Sequence, residues 1–218
     1  MTQDNYFDSE LENELIYSKG VLEFVTVAGE YCGFLEKSDN YKRNDFFDKS
    51  LKLLPLLYLK TVLLPKIDTL TDSFAEKFVT EYDWNLIKER IAEKLGNYDG
   101  FVEVTDLLAQ NTLDHSSFSI SECFADVYQE LKDFISIYQL GSNDSMEKAL
   151  WECTQNFQQS WGQKVLAIVA NFHQLVFGLD EIEEDSSDEK KMEFADNKQK
   201  NWVDNFFNKK EEADFFDY

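Results

Sequence analysis

Four carboxylates, Glu122, Asp126, Glu130 and Asp133, recur at steps of four, four and three. At helical pitch that spacing puts them on one face. A row of acids facing one cavity is how a Mg- or Mn-dependent hydrolase holds a metal that bridges substrate phosphates. The row also stands opposite Phe124, Val127 and Leu131, which makes a solvated helix face the plainer reading. Glu30, beside Tyr31, is a lone carboxylate and reads as half exposed. A di-iron or di-manganese bundle needs a Glu-x-x-His pair on each of two helices. Only His115 and His173 occur, and Thr112 and Ala170 stand where the glutamates belong. Cys32, Cys123 and Cys153 are too scattered for a zinc site or a disulfide framework. No Gly-x-Ser-x-Gly elbow or Gly-rich phosphate loop occurs. Asp114-His115-Ser116 are neighbours in sequence, but triads assemble from separated segments. Cys32, Cys153, Trp84, Trp151 and Trp161 read as core residues by size and spacing. No catalytic, cofactor-binding or metal-binding residue is assigned, and no cofactor is expected.

What remains is a repeated short pattern of two aromatics flanked by Asp or Asn. It occurs at Tyr6-Phe7, Phe46-Phe47, Phe206-Phe207 and Phe215-Phe216, with three of the four copies toward the chain ends. Rings supply buried area and acids steer, which suits a basic-rimmed apolar groove on another protein. Met192, Trp202, Phe206, Phe207, Phe215 and Phe216 are therefore the candidate partner-binding residues, with a basic protein as the expected partner. In a chain with 19 Phe, 10 Tyr and many acids, composition alone also generates such repeats.

The 218 residues hold 43 Asp and Glu against 21 Lys and Arg, a formal charge of -22, with 43% hydrophobic residues. The hydrophobic share is enough for a buried core. The charge opposes direct binding to nucleic acid, which needs clustered cations, and docking on anionic lipid. A protein that mimics nucleic acid could use the same charge. The first residues carry no basic and apolar leader, no uncharged apolar stretch approaches membrane-spanning length, and the cysteines suit a reducing compartment. A cytoplasmic location is expected, with no membrane contact.

The elements that would position these residues are helices, because apolar residues recur at three and four. The fold expected is all-α, an antiparallel bundle of about five helices. The first runs over 18–37 with Val21, Val25, Ala28, Cys32 and Leu35 on its stripe. The second covers 44–64, presents Phe47, Leu51, Leu54, Tyr58 and Val62, and is expected to be the most buried helix and kinked at Pro55. The third covers 83–95 and ends on Gly96 in a left-handed conformation. Residues 97–118 are irregular, with no sheet expected from Phe101, Val102 and Val104. Ser119 and Glu122 form a capping box at the head of the fourth helix. The fifth runs from Asn143 to Phe177, lined by Ala149, Cys153, Phe157, Trp161, Leu166, Val169, Phe172 and Val176, with a bend at Gly162. The domain division is an acidic extension over 1–17, the bundle over 18–178, and an acidic linker over 179–191. Residues 192–218 form an amphipathic helix and acidic-aromatic tail.

Glu23–Cys32, Leu53–Leu59, Ser119–Phe134 and Asn201–Phe207 together resemble the DUF5063-type family of acidic, all-helical bacterial proteins of unknown function. The resemblance spans about Ser18 to Phe207. It implies a bacterial cytosolic helical domain and carries no catalytic signature. The function expected is a non-enzymatic interaction module acting through an acidic surface and aromatic tail.

Overall fold

Ser119 opens the helix on which the fold is built. Its hydroxyl accepts the Glu122 N–H at 3.1 Å and the Glu122 carboxylate accepts the Ser119 N–H at 2.9 Å, closing the expected capping box. The computed structural model describes residues 15–66, 76–105 and 115–178. Among these, α1 is Lys19–Glu36, α2 Arg43–Val62, α3 Glu81–Leu95, α4 Ile120–Leu140, α5 Asn143–Asn156 and α6 Gly162–Phe177. Strands β1 (Phe101–Thr105) and β2 (His115–Ser119) pair antiparallel, Phe101 opposite Ser119 and Thr105 opposite His115. The fold is an all-α bundle carrying this one short hairpin among the described residues.

α4 sits at the centre and packs against α1, α3, α5 and α6. It buries Phe124, Val127, Leu131 and Phe134 on one side, and Cys123, Tyr128, Ile135 and Ile137 around it. The expectation that the second helix is the most buried is therefore corrected. In α2, Leu56, Leu59, Val62 and Leu63 just beyond it stay 41–63% exposed. Its buried face is Phe47, Ser50, Leu54, Leu57 and Thr61, rotated from the face expected: Leu51 and Tyr58 are half buried and Val62 is out. The apolar coverage of the Leu53–Leu59 run hid which side faces the core. Helical assignment continues through Pro55, itself exposed.

An aromatic cluster joins four elements. Phe46 of α2 stacks on Phe34 of α1 at 4.9 Å and meets Phe124 of α4 at 5.6 Å. Phe172 of α6 lies edge-on to Phe47 at 4.7 Å. The Tyr31 hydroxyl donates to the Phe124 carbonyl at 3.0 Å, so even the polar atom in this layer is satisfied.

At Gly96 and Gly162 the geometry leaves no room for a side chain. Gly96 ends α3 with φ 57°, where a β-carbon would lie 3.0 Å from the Arg43 guanidinium. That positive φ was expected, and Arg43 in turn donates through Nε to the Lys94 carbonyl at 2.9 Å. At Gly162 a β-carbon would meet the Phe157 carbonyl at 2.7 Å and its ring at 2.8 Å. The expected single helix over Asn143–Phe177 is unbroken but contains a π-helical turn at Phe157–Trp161. One residue added to the turn shifts the register beyond it. Val165, Ile168 and Phe172 are the buried positions there, and Leu166 is exposed, which corrects the stripe. The hairpin was missed because Ser116, Ser117 and Ser119 give β2 no apolar alternation.

Candidate functional site

The four carboxylates of α4 do not face solvent as a row, and only Glu130 and Asp133 of the four share a cavity. Glu122 is spent on its own helix cap. Asp126 reaches α3 and α6: Oδ1 accepts the Trp84 indole N–H at 2.9 Å, and Oδ2 accepts from the Lys164 ammonium. Glu130 accepts the Asn156 side-chain N–H at 2.7 Å, at the end of α5. Asp133 is buried, and its Oδ1 accepts the backbone N–H groups of Phe78 and Val79 at 2.7 and 2.8 Å. The solvated-face expectation fails because α4 is surrounded, so its polar side meets neighbouring elements rather than water. Among the described residues no group of three His, Cys, Asp or Glu side chains is placed to hold a metal ion.

The most charged interior spot lies between α4 and α5. Lys77 approaches Glu152 at 2.8 Å and Asp133 Oδ2 at 3.9 Å, with Glu130 alongside in the same small cavity. Burial alone would lower the Lys77 pKa. The Glu152 hydrogen bond and the charges of Glu130, Glu152 and Asp133 outweigh it, and the ammonium is held above its ordinary value. The lysine thus occupies the place that a cation would take among these acids. A second such clasp joins α1 to α4, where Glu36 accepts from the Tyr128 hydroxyl at 3.0 Å and from Lys132 at 2.7 Å.

Among the described residues the cysteines are not activated nucleophiles. All three cysteines are buried and free. Burial pushes the Cys123 thiol up to about 12 and raises Cys32 and Cys153 as well, so none is a thiolate near neutrality. His173 packs on Phe177 at 4.8 Å between ring centroids. His115 and Ser116 lie in β2, and Asp114 falls outside the described residues. Trp161 is buried as expected, donating to the Cys153 carbonyl at 3.1 Å, while Trp84 and Trp151 are half buried.

The outer side of α1 and α2 differs in character. A groove of about 490 Å³ runs between the two helices, over Gly29 and Gly33 on one side and against Leu53 and Leu56 on the other. Lys37, Lys49 and Lys52 stand along it, with Glu30 also in its lining. Lys49 is held 3.8 Å above the Tyr41 ring, and Tyr41 is braced by Phe34 at 5.3 Å. Lys52 pairs with Asp48 at 2.6 Å. Sequence reading passed over this surface. Its trace was two glycines four residues apart within an otherwise sound helix, Gly29 and Gly33. Glu30, weighed alone in the sequence, is an exposed rim residue here. Met192, Trp202, Phe206, Phe207, Phe215 and Phe216 lie outside the described residues, as do residues 1–14 and 179–218.

A family model described as "Domain of unknown function (DUF5063)" matches residues 15–178. A crystal structure of a Bacteroides fragilis protein from structural genomics is similar: 37% identity, a TM-score of 0.66, 78% of this chain and 99% of that one. No curated protein matches. No helix among the described residues is long and apolar enough to cross a membrane.

Proposed function

The chain belongs to the DUF5063 family, and we propose that it is a non-enzymatic protein-interaction module of the cytoplasm. The observation that supports this reading is how the chemically capable groups are used. Glu122, Asp126, Glu130 and Asp133 each serve a cap, an indole, an amide or a backbone turn, and the cysteines are buried thiols. What is left exposed is binding chemistry: apolar side chains at Leu22, Leu56, Leu59 and Leu63, and a large excess of acids. The partner is a basic protein, approached through the acidic field and anchored by the aromatics at Trp202, Phe206, Phe207, Phe215 and Phe216, with Met192 beside them.

The test is affinity purification of the full chain from its host, followed by direct titration of the recovered partner. Trp202→Ala with Phe206→Ala is expected to weaken that binding at least tenfold while the bundle stays folded. Binding that ignores both substitutions and salt concentration would sink the reading. So would metal-dependent nucleotide hydrolysis by the purified protein that is abolished by Asp126→Asn or Glu130→Gln.

A further inference from the structure

Glycine inside a helix costs roughly 0.5–1 kcal/mol against alanine, so two on one exposed face call for a reason. Packing within the bundle is not that reason. A β-carbon on Gly29 or Gly33 would meet nothing within 4 Å. What the missing side chains do is keep the floor of the α1–α2 groove at backbone level, open to a bulky group lying over it. Charge adds a second, independent constraint. In a chain with twice as many acids as bases, this groove gathers Lys37, Lys49 and Lys52 against Glu30, with Asp48 paired to Lys52. No carboxylate among the described residues forms an ion pair with Lys37 or Lys49. Apolar walls, a glycine floor and cationic rims fit an acidic segment that carries aromatic rings.

The chain supplies such a segment. Residues 202–217 contain Trp202, Phe206, Phe207, Phe215 and Phe216 together with five acids and two lysines. The chain leaves the bundle at the matching end. α6 runs toward Gly178 past Phe172, which rests on Phe46 and Phe47 near the start of α2. The groove lies just further along, from Lys49 to Leu56 at the middle of α2. At coil statistics the expected linker over 179–191 has a root-mean-square reach of about 20 Å and the expected helix from 192 to 202 adds about 15 Å, enough to wrap one helix.

We infer that the α1–α2 groove is the seat of the chain's own C-terminal acidic-aromatic segment, residues 202–217. Docked there, the segment is withheld from the partner, so the groove regulates the interaction; this step rests on the proposed role of that tail. A short flexible tether gives an effective concentration of about 1 mM. A contact with a dissociation constant of about 0.1 mM is then about 90% closed and weakens apparent partner binding about tenfold. A loose groove therefore suffices for a switch.

Carbodiimide cross-linking of the full chain, read by mass spectrometry on a mixture of unlabelled and ¹⁵N-labelled protein, tests this. Amide links are expected between Lys37, Lys49 or Lys52 and Asp204, Glu211, Glu212, Asp214 or Asp217, within one isotopic chain. Gly33→Leu fills the groove at a position with open space and improves helix propensity. It should leave the fold intact, cut these links about tenfold and raise partner capture about tenfold. Lys37→Glu with Lys49→Glu gives a second variant, read at the links of the retained Lys52 and by partner capture, with the same expected outcome. Links found only between differently labelled chains would replace this inference with a second copy in the groove. No links, or links indifferent to both variants, would overturn it. Partner binding lost in Trp202→Ala without intrachain links sinks this inference alone, whereas intrachain links without partner binding sink the partner reading alone.

Discussion

Lys77 is where a single residue holds the most charge in place. It is 46% exposed, yet it faces Asp133, whose side chain is only 4% exposed, and Glu152 at 11%. Removing one member of a buried pair costs about 3–5 kcal/mol; the exposure of Lys77 lowers the expectation for Lys77→Met to about 1–2 kcal/mol at pH 7. The sign of the pH dependence follows from the raised lysine pKa. In the wild type this contribution is complete below the ordinary lysine value and is lost as pH rises through the raised one. The deficit of Lys77→Met should therefore be full from neutrality up to the ordinary lysine range and shrink above it in urea titrations. Gly96 is a second residue-scale test. Alanine there meets both a positive φ and the Arg43 guanidinium, and about 1–2 kcal/mol should be lost in the same titration. A neutral effect would mean that the α3 terminus relaxes freely. The thiols make a third test: with Cys123 near 12 and all three buried, an aromatic disulfide reagent should label none of them until the protein unfolds.

Elements show which parts of the fold were legible and why. α4 was readable from its first residues because Ser119 and Glu122 announce a local hydrogen-bond pattern that tertiary contacts do not change. α3 begins with the same device at Thr80 and Asp83: the Thr80 hydroxyl accepts the Asp83 backbone N–H at 3.2 Å and the Asp83 carboxylate accepts the Thr80 backbone N–H at 3.0 Å. That cap passed unnoticed because aspartate is the shorter and less usual partner at the third position. Periodicity placed α1 well, with Val21, Ala28, Cys32 and Leu35 buried. It failed on α2, where leucines on every side left the phase open, and beyond Phe157, where the π turn altered the period itself. The carboxylate row shows the same limit at the site. Spacing put the acids on one face, but whether that face meets water depends on α3, α5 and α6 closing around it. The groove was least legible, because it needs two helices to exist. Pro55 offers the element-scale prediction. It lacks the N–H that would bond one turn back, at about 3 kcal/mol, while stiffening the unfolded chain by about 1 kcal/mol. Pro55 is exposed, so Pro55→Ala creates no cavity and should stabilise the protein by about 1–2 kcal/mol. Lower stability would mean that a bend there seats α2 against α1 and α6.

At the scale of the whole molecule, the charge of -22 sets two effects of opposite salt dependence. Like charges spread over the surface repel and destabilise the compact state, and screening relieves that repulsion. The Debye length falls from about 30 Å at 0.01 M to about 8 Å at 0.15 M, which removes most interactions between distant surface acids. The local clasps Lys77–Glu152 and Lys132–Glu36 lie at 2.8 and 2.7 Å, well inside that length, and should survive. The melting temperature should therefore rise between these salt concentrations, by about 2–4 °C for each kcal/mol of repulsion relieved. Docking of an acidic tail on Lys37, Lys49 and Lys52 behaves in the reverse sense, because it uses attraction between partly exposed charges. Intrachain cross-links should fade over the same range while the melting temperature climbs. Both can be measured on one set of samples, by scanning calorimetry and by mass spectrometry. Cross-links that strengthen with salt would assign the contact to the rings of Trp202, Phe206 and Phe207 rather than to charge, since exclusion of salt from apolar surface favours burial. A melting temperature that falls with added salt would mean that short-range ion pairs outweigh the long-range repulsion, despite an acid excess of two to one.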